Sequence, residues 1–245
     1  MVSRRSVRVI LVAVGLGCAV ATSVVGCTDD PASDPTGEGT SVGAEAAAEP
    51  LDRATVRTAR RHLEALGRVD RHPAGVPAYR RDAFGTAWAD TDGDGCNQRD
   101  DVLLRDSVPE STTVQQQGSC DHDVLAGTWI DPYTGATLTF DDLKDPRQAQ
   151  AIQIDHVVPL AEAWISGAAA WSDERRKAYA NDLGVLLAVD GPTNAAKGAD
   201  DPAAWRPRKG YQCEYAVRWV TTKYRWGLAA DASEVAALGE MLDFC

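Results

Sequence analysis

The sequence predicts an α+β domain with more helix than strand. Three observations predict this class. Apolar residues recur at helical spacing in several segments, short β-prone runs alternate with turn residues, and no internal repeat or membrane-spanning run follows the first 25 residues. About 195 residues follow residue 50, which is enough for one domain with a hydrophobic core. We therefore expect a single domain over 51–245 with added helices and a β-hairpin.

The first 26 residues are expected to be an export signal. Three arginines at positions 4–8 precede an uncharged apolar run over 9–25, which is the arrangement of a secretory signal peptide. The run ends in VVGC and resembles a bacterial lipobox with Cys27 as the acylated residue; Cys18 fits less well because it leaves a short apolar region. The prediction is an exported membrane lipoprotein facing outward. A plain signal peptide, giving a secreted protein, and an uncleaved anchor are the alternatives.

A spacer is predicted between this signal and the domain. Residues 28–50 contain six acids, no base and few large apolar side chains. Such a composition cannot bury enough apolar surface to offset the loss of chain entropy. We expect residues 27–50 to be a disordered acidic spacer.

The domain is predicted to start with an amphipathic helix. Apolar side chains between residues 51 and 66 recur at helical spacing, and arginines occupy the other positions. Residues 68–95 are rich in Gly, Pro and Asp and predict mostly loop. A short helix is predicted over 97–105.

Strands are predicted in the middle of the chain. Two β-prone runs, 124–130 and 136–140, are joined by the sequence DPYTG, which is typical of a hairpin turn. A third strand is predicted over 152–158 and ends at Pro159.

The remaining chain is predicted to be mainly helical. Ser172 is a suitable N-cap for one of these helices, and an apolar run occupies 183–189. The helices are expected at about 160–165, 172–180, a short segment after Gly191-Pro192-Thr193, 211–225 and 233–242.

Four cysteines follow the signal and spacer. An even number in an exported protein predicts two disulfides, for which three pairings exist. We favour Cys96 with Cys120 and Cys213 with Cys245, because each pair closes a short local loop. A zinc site is the alternative, and the absence of any Cys-x-x-Cys pair argues against it.

The formal charge is −11, which opposes contact with nucleic acid. Its distribution is uneven, however. Residues 57–81 contain seven arginines and two acids, and residues 206–225 contain six bases and one acid. These two basic segments are candidate nucleic-acid surfaces, with solvated helix faces as the alternative.

The stretch IQIDHVVPL places Asp155 and His156 at a predicted strand end, and by itself it favours a structural histidine. Asn181 follows in NDLGVLLAV, and Asn194 in TNAAKG. This series resembles the HNH endonuclease family, in the branch whose last His is Asn, as in the nuclease domain of modification-dependent restriction proteins. Together with DGDGCNQRDDVLLRD, GTWIDPYTG and KGADDPAAW, it is similar to secreted actinobacterial HNH-type proteins over about residues 79–245.

The resemblance implies a ββα-metal core over about 150–200 and hydrolysis of phosphodiester bonds in DNA, with RNA as a second substrate class. It implies that His156 activates water as general base and that Asp155 and Asn194 hold a divalent metal. Asn181 would brace the loop and orient the base. Such hydrolysis needs activated water and neutralisation of charge on the phosphate and the departing oxygen.

The metal can be argued from the donor atoms. Carboxylate and amide oxygens suit a hard cation, so Mg²⁺ is expected and Mn²⁺ is a substitute. Lys197 is a candidate phosphate contact or a solvated turn lysine, and Arg99 is a second candidate for the phosphate. Glu162 is interpreted as a solvated helix-surface residue, with an outer-shell carboxylate as the alternative.

A second candidate metal site precedes this series. Asp90, Asp92, Asp94 and Asp101 stand at positions 1, 3, 5 and 12 of a calcium loop, with Gly95 at position 6. Asp in place of Glu at position 12 and a cysteine at position 7 weaken the match. A disulfide-anchored turn without Ca²⁺ is the alternative.

Three functions therefore compete. An exported metal-dependent endonuclease leads, with nucleic acid, DNA first, as its partner. Membrane contact is expected only through a lipid anchor, and no protein partner is predicted. The alternatives are a non-catalytic calcium-binding envelope lipoprotein that uses the 90–101 loop, and a hydrolase of another phosphodiester or of cell-wall material.

Overall fold

The fold is given by a computed structural model that describes residues 51–245. The predicted signal peptide, the lipidation of Cys27 and the acidic spacer lie outside the described residues. Residues 51–245 form a mixed α and β domain with two small sheets, the class that the sequence predicts. No helix in this part of the chain combines the length and apolarity that a membrane span needs.

Helix α1, Arg53–Ala65, opens the domain as predicted. Asp52 is its N-cap, because its Oδ1 atom accepts hydrogen bonds from the backbone amides of Ala54 and Thr55. Ala59 and Leu63 are buried, and the helix packs against the two C-terminal helices.

The first sheet is antiparallel with the order β1-β2-β3. Strand β2, Cys120–Ile130, and strand β3, Thr137–Phe140, form the predicted hairpin, and helix α2, Gln98–Asp106, packs on β2. Strand β1, Thr113–Gln117, was not predicted. Its sequence TVQQQ is exposed throughout and shows no alternation of apolar and polar residues. The segment is a strand because it pairs with β2, and no local sequence pattern predicts this.

The second sheet pairs strand β4, Ile152–His156, with strand β5, Leu186–Asp190. The strands are antiparallel, and His156 lies opposite Leu186. Helix α6, Gly191–Lys197, follows β5 directly, so the two paired strands and α6 form a strand-strand-helix unit, with two further α-helices inserted between the strands. The resemblance implies such a unit, while the metal core itself stays a prediction.

Two helices connect the paired strands. They are α4, Leu160–Ile165, and α5, Asp173–Ala180, and the Ser172 hydroxyl caps α5 as predicted. Helix α3, Pro146–Ala151, precedes β4 and was not predicted. The position of Gly191, where α3 meets the end of β5, has no room for a side chain. A Cβ atom there would lie 2.3 Å from the backbone oxygen of Gln150.

The C-terminal helices cover the core. Helix α7 spans Lys209–Trp226 and ends at the left-handed Gly227, and helix α8 spans Ala232–Leu242. Tyr215 and Trp219 of α7 are fully buried. These helices therefore close the side of the domain that also packs on α1.

Both predicted disulfides are present. Cys96 joins Cys120, and Cys213 joins Cys245. The first ties the residues just before α2 to the start of β2, and the second ties α7 to the C-terminal residue. The local pairing preferred from the sequence is thereby confirmed.

Candidate active site

A pocket of about 300 Å³ lies at the ends of β4 and α6. It brings together three of the residues that the sequence singles out: Asp155, His156 and Asn194. Asp155 and His156 lie at the end of β4, and Asn194 lies on α6. Because β5 runs antiparallel to β4, it brings the start of α6 back beside β4. Strand pairing thus joins residues that are about 40 positions apart in sequence.

The orientation of His156 follows from one hydrogen bond. Its Nε2 atom lies 2.9 Å from the backbone oxygen of Ala180. A carbonyl oxygen only accepts, so Nε2 carries the hydrogen and Nδ1 of the neutral ring keeps its lone pair. Trp88 and Tyr179 stack near the imidazole, with ring centroids 6.5 and 6.4 Å away. The ring is therefore fixed with Nδ1 as an acceptor.

Burial decides the protonation of His156. Loss of solvation lowers its pKa to about 4, although the bond to Ala180 and the charge of Asp155 act in the opposite direction. The positive charges of Arg81 and Lys197 lower the pKa further. The imidazole is therefore neutral at physiological pH and able to accept a proton.

Asp155 is held by two side chains that the sequence did not assign to it. The Tyr133 hydroxyl donates to Oδ2 at 2.5 Å, and the Lys197 ammonium lies 2.9 and 2.8 Å from Oδ1 and Oδ2. Lys197 also donates to the backbone oxygen of His156 at 3.0 Å. Since an ionised carboxylate offers about four lone-pair positions, Asp155 retains acceptor capacity toward the pocket that it lines.

This position of Lys197 differs from the prediction. A phosphate contact and a solvated turn lysine both require an exposed ammonium, whereas Lys197 is 0% exposed. The final turn of α6 directs it inward, where Asp155 compensates its charge. Its place in the molecule is to orient Asp155 and the end of β4.

Asn194 contributes a second oxygen donor to the pocket, beside that of Asp155. Its Nδ2 atom donates to Oε1 of Gln153 at 2.9 Å, which orients the amide and leaves Oδ1 as its acceptor atom. Asp155 and Asn194 therefore contribute oxygen donors to one pocket. The donor chemistry fits a hard divalent cation such as Mg²⁺ better than zinc.

Asn181 does not line the pocket but braces the chain beside it. Its Oδ1 atom accepts from the Ala89 amide at 2.9 Å, and its Nδ2 atom donates to the Lys177 backbone oxygen at 2.9 Å. Trp88, next to Ala89, has a φ of 57°, a rare backbone conformation for a bulky residue. The side chain of Asn181 thus anchors the segment that carries Trp88 to His156, and its catalytic role stays a prediction.

Arg81 and Tyr79 line the pocket and were missed as individual residues. The excess of arginines over 57–81 was the sequence signal for a basic surface near the site. Only the fold shows which of these arginines lies at the pocket. Arg57, Arg60 and Arg61 belong to α1, whereas Arg81 reaches the pocket of His156. Arg81 gives the rim of this pocket a positive charge in an otherwise acidic protein.

Two other predicted residues have structural partners. Arg99 donates from Nη2 to the backbone oxygens of Ala149 and Ile152, so it joins α2 to the start of β4 and does not line the pocket. A contact between Arg99 and the substrate phosphate stays a prediction. The interpretation of Glu162 as a solvated residue was wrong, because it is buried and its carboxylate lies 2.7 Å from the Lys223 ammonium.

The acidic loop lies apart from the pocket. The carboxylates of Asp90, Asp92 and Asp94 lie within 4.8 Å of one another, and Asp94 also approaches Asp101 and His122. None of these residues lines the pocket of His156. The loop is therefore a separate candidate site.

Residues 97–241 match the family described as GmrSD restriction endonucleases, C-terminal domain. The chain belongs to this family. The part that matches the GmrSD C-terminal domain includes Asp155, His156, Asn181 and Asn194, whereas Arg81, Trp88 and most of the acidic loop precede it. A protein of Arthroderma benhamiae described as an uncharacterized secreted protein is 41% identical over 170 residues, which cover 68% of this chain and 76% of the relative. No solved structure matches the chain.

Proposed function

We propose that the protein is an exported, metal-dependent endonuclease of the HNH type that hydrolyses phosphodiester bonds of DNA, with RNA as a second substrate class. One observation carries the proposal: a neutral imidazole and two oxygen-donor side chains line one pocket on a strand-strand-helix unit. Membership of a restriction endonuclease family supports a nuclease over a purely structural lipoprotein.

His156 acts as general base in this proposal. The bond from Nε2 to Ala180 leaves Nδ1 free to take a proton from water in the pocket. Trp88 and Tyr179 restrict the ring to this orientation. Positioned proton transfer of this kind contributes about 10²–10⁴-fold to a rate.

Asp155 and Asn194 hold the divalent metal, Mg²⁺ with Mn²⁺ as substitute. The metal, when bound, supplies positive charge against the scissile phosphate and its leaving oxygen. Lys197 and Tyr133 hold the Asp155 carboxylate in a fixed orientation. Arg81 attracts the substrate backbone to the pocket rim.

Export is supported by two observations. The relative from Arthroderma benhamiae is described as secreted, and two disulfides are typical of oxidising compartments. Acylation of Cys27 and outward-facing membrane attachment remain predictions from the sequence. We expect the fold to be completed after export, once both disulfides form.

Plasmid nicking tests the proposal. Purified, oxidised protein should nick supercoiled DNA with Mg²⁺, and EDTA should abolish nicking. His156→Ala removes the base and should lower the rate about 100-fold or more. Asn194→Ala should cause a loss that higher Mg²⁺ partly restores.

The matched control is His72→Ala, which removes an exposed histidine that does not line the pocket and should leave the rate unchanged. Circular dichroism of each variant checks folding. Equal rates for His156→Ala and His72→Ala, or cleavage that persists in EDTA, would refute the assignment. Cleavage of RNA alone would retain the chemistry and change the substrate.

A further inference from the structure

The acidic loop gathers several carboxylates, and those of Asp90 and Asp94 also accept hydrogen bonds from backbone amides of the loop. The carboxylates of Asp90, Asp92 and Asp94 converge within 4.8 Å on an exposed surface. Asp94 also lies within this distance of Asp101 and His122, so it joins two groups of ligand atoms. Converging acids alone do not define a site, because exposed acids are common on protein surfaces.

A second observation points to a ligand here. Two buried oxygens beside the loop, Oε1 of Gln98 and Oδ2 of Asp101, have no hydrogen-bond partner among the described residues. Gln98 is 0% exposed, and its Nε2 atom donates to Thr91, which places the amide against the loop. The Asp101 side chain is 10% exposed, and its Oδ1 atom is bound to Nε2 of His122 at 2.9 Å. Buried acceptors of this kind are costly unless something binds them.

We infer that the segment Asp90–Asp101 is a Ca²⁺ site distinct from the pocket of His156. The Nε2 atom of His122 is not available as a metal ligand, because it already binds Asp101. The remaining candidate ligands are oxygen atoms. Many carboxylate and amide oxygens in an irregular loop suit Ca²⁺, which takes six to eight oxygen ligands in flexible geometry, better than the octahedral Mg²⁺.

Electrostatics supports a cation at this position. The carboxylates of Asp94 and Asp92 lie near that of Asp101, so like charges repel one another in this loop. A divalent cation would reverse this repulsion. Asp94 is 42% exposed, so an ion from solvent has access to the cluster.

The site is also placed to act on the neighbouring segment. Asp90 follows Trp88 by two residues, and Trp88 stacks near His156 from a left-handed backbone conformation. The Cys96–Cys120 disulfide anchors the far side of the same loop. Bound Ca²⁺ would therefore fix the chain between Trp88, which stacks near His156, and the Cys96–Cys120 disulfide.

Calorimetric titration of EDTA-treated, dialysed protein with CaCl₂ tests the inference. We expect one Ca²⁺ per chain with a Kd of about 10⁻⁵–10⁻³ M, and a rise in Tm of about 3 °C or more at 5 mM CaCl₂. Asp92→Asn should weaken binding at least about tenfold, since one charged ligand is lost. Asp92 is exposed, so the substitution leaves the core intact.

Two variants locate the ion. Asp70→Asn, an exposed acid outside the cluster, and Asn194→Ala, in the other pocket, should retain the full Ca²⁺ response. Absence of Ca²⁺ binding, an unchanged Kd in Asp92→Asn, or loss of the response in Asn194→Ala would each overturn the inference. These measurements do not use nuclease activity, so a protein without nuclease activity could still show the Ca²⁺ response.

Discussion

Lys197→Met is the sharpest test of how the site is built. The substitution keeps the length of an unbranched side chain and removes an ammonium that lies 2.9 and 2.8 Å from the two oxygens of Asp155. Asp155 is then a buried carboxylate with the Tyr133 hydroxyl as its remaining side-chain donor among the described contacts. Breaking a buried pair on one side costs about 3–5 kcal/mol, because a charge is left uncompensated.

For a domain of this size, that loss lowers the Tm by about 6–20 °C. Urea unfolding followed by tryptophan fluorescence measures the free energy directly. Lys177→Met, which removes an exposed lysine, is the matched control and should stay within about 0.5 kcal/mol of wild type. The double variant Asp155→Asn/Lys197→Met should be more stable than Lys197→Met, since no lone charge remains.

This role of Lys197 is refuted if Lys197→Met has the same free energy of unfolding as Lys177→Met, or if the double variant is the least stable of the set. Either result would mean that the ammonium does not compensate Asp155 in solution. Lys197 would then be free for the phosphate contact that the sequence predicts.

The remaining predictions concern stability. Burial, with help from Glu162, raises the pKa of Glu234 to about 7 against an ordinary 4.5, so its contribution is present below pH 4.5 and is lost as pH rises through 7. The free energy of unfolding of wild type should therefore fall by about 3 kcal/mol relative to Glu234→Gln between pH 4.5 and 8, and parallel curves in urea titrations would contradict this. Removing the Cys213–Cys245 disulfide with paired serines should cost about 3–4 kcal/mol, since it closes a loop with a sequence separation of 32. Denaturant midpoints with the Cys96–Cys120 bond intact measure the loss, and an unchanged midpoint would refute it.

The positions of most elements could be predicted from local sequence. Helix α4 and the Ser172 cap of α5 match their predictions, because periodicity and capping residues act within a few residues of the chain. Strand β1 and helix α3 could not be predicted in this way. The TVQQQ strand exists through its pairing with β2, and α3 is a short six-residue helix without a buried side chain.

The charged residues show the limit of pattern reading. Lys197 and Glu162 have the types and local settings of surface residues, yet each is buried against an opposite charge from a distant element. Arg99 satisfies backbone oxygens at the end of α3 and the start of β4. Their partners are between 42 and 61 residues away, so no local signal identifies them.

By itself, the sequence determined the residue types of the site, and it indicated the α+β class and favoured the local disulfide pairing, since these depend on composition and short-range spacing. Only the tertiary structure decided that Asp155, His156 and Asn194 share one pocket, that Tyr133 and Lys197 hold Asp155, and that Arg81 reaches the rim. The physical reason is that burial, pKa and charge compensation depend on neighbours brought together by strand pairing and helix packing. Those neighbours are remote in the chain, and spacing carries no information about them.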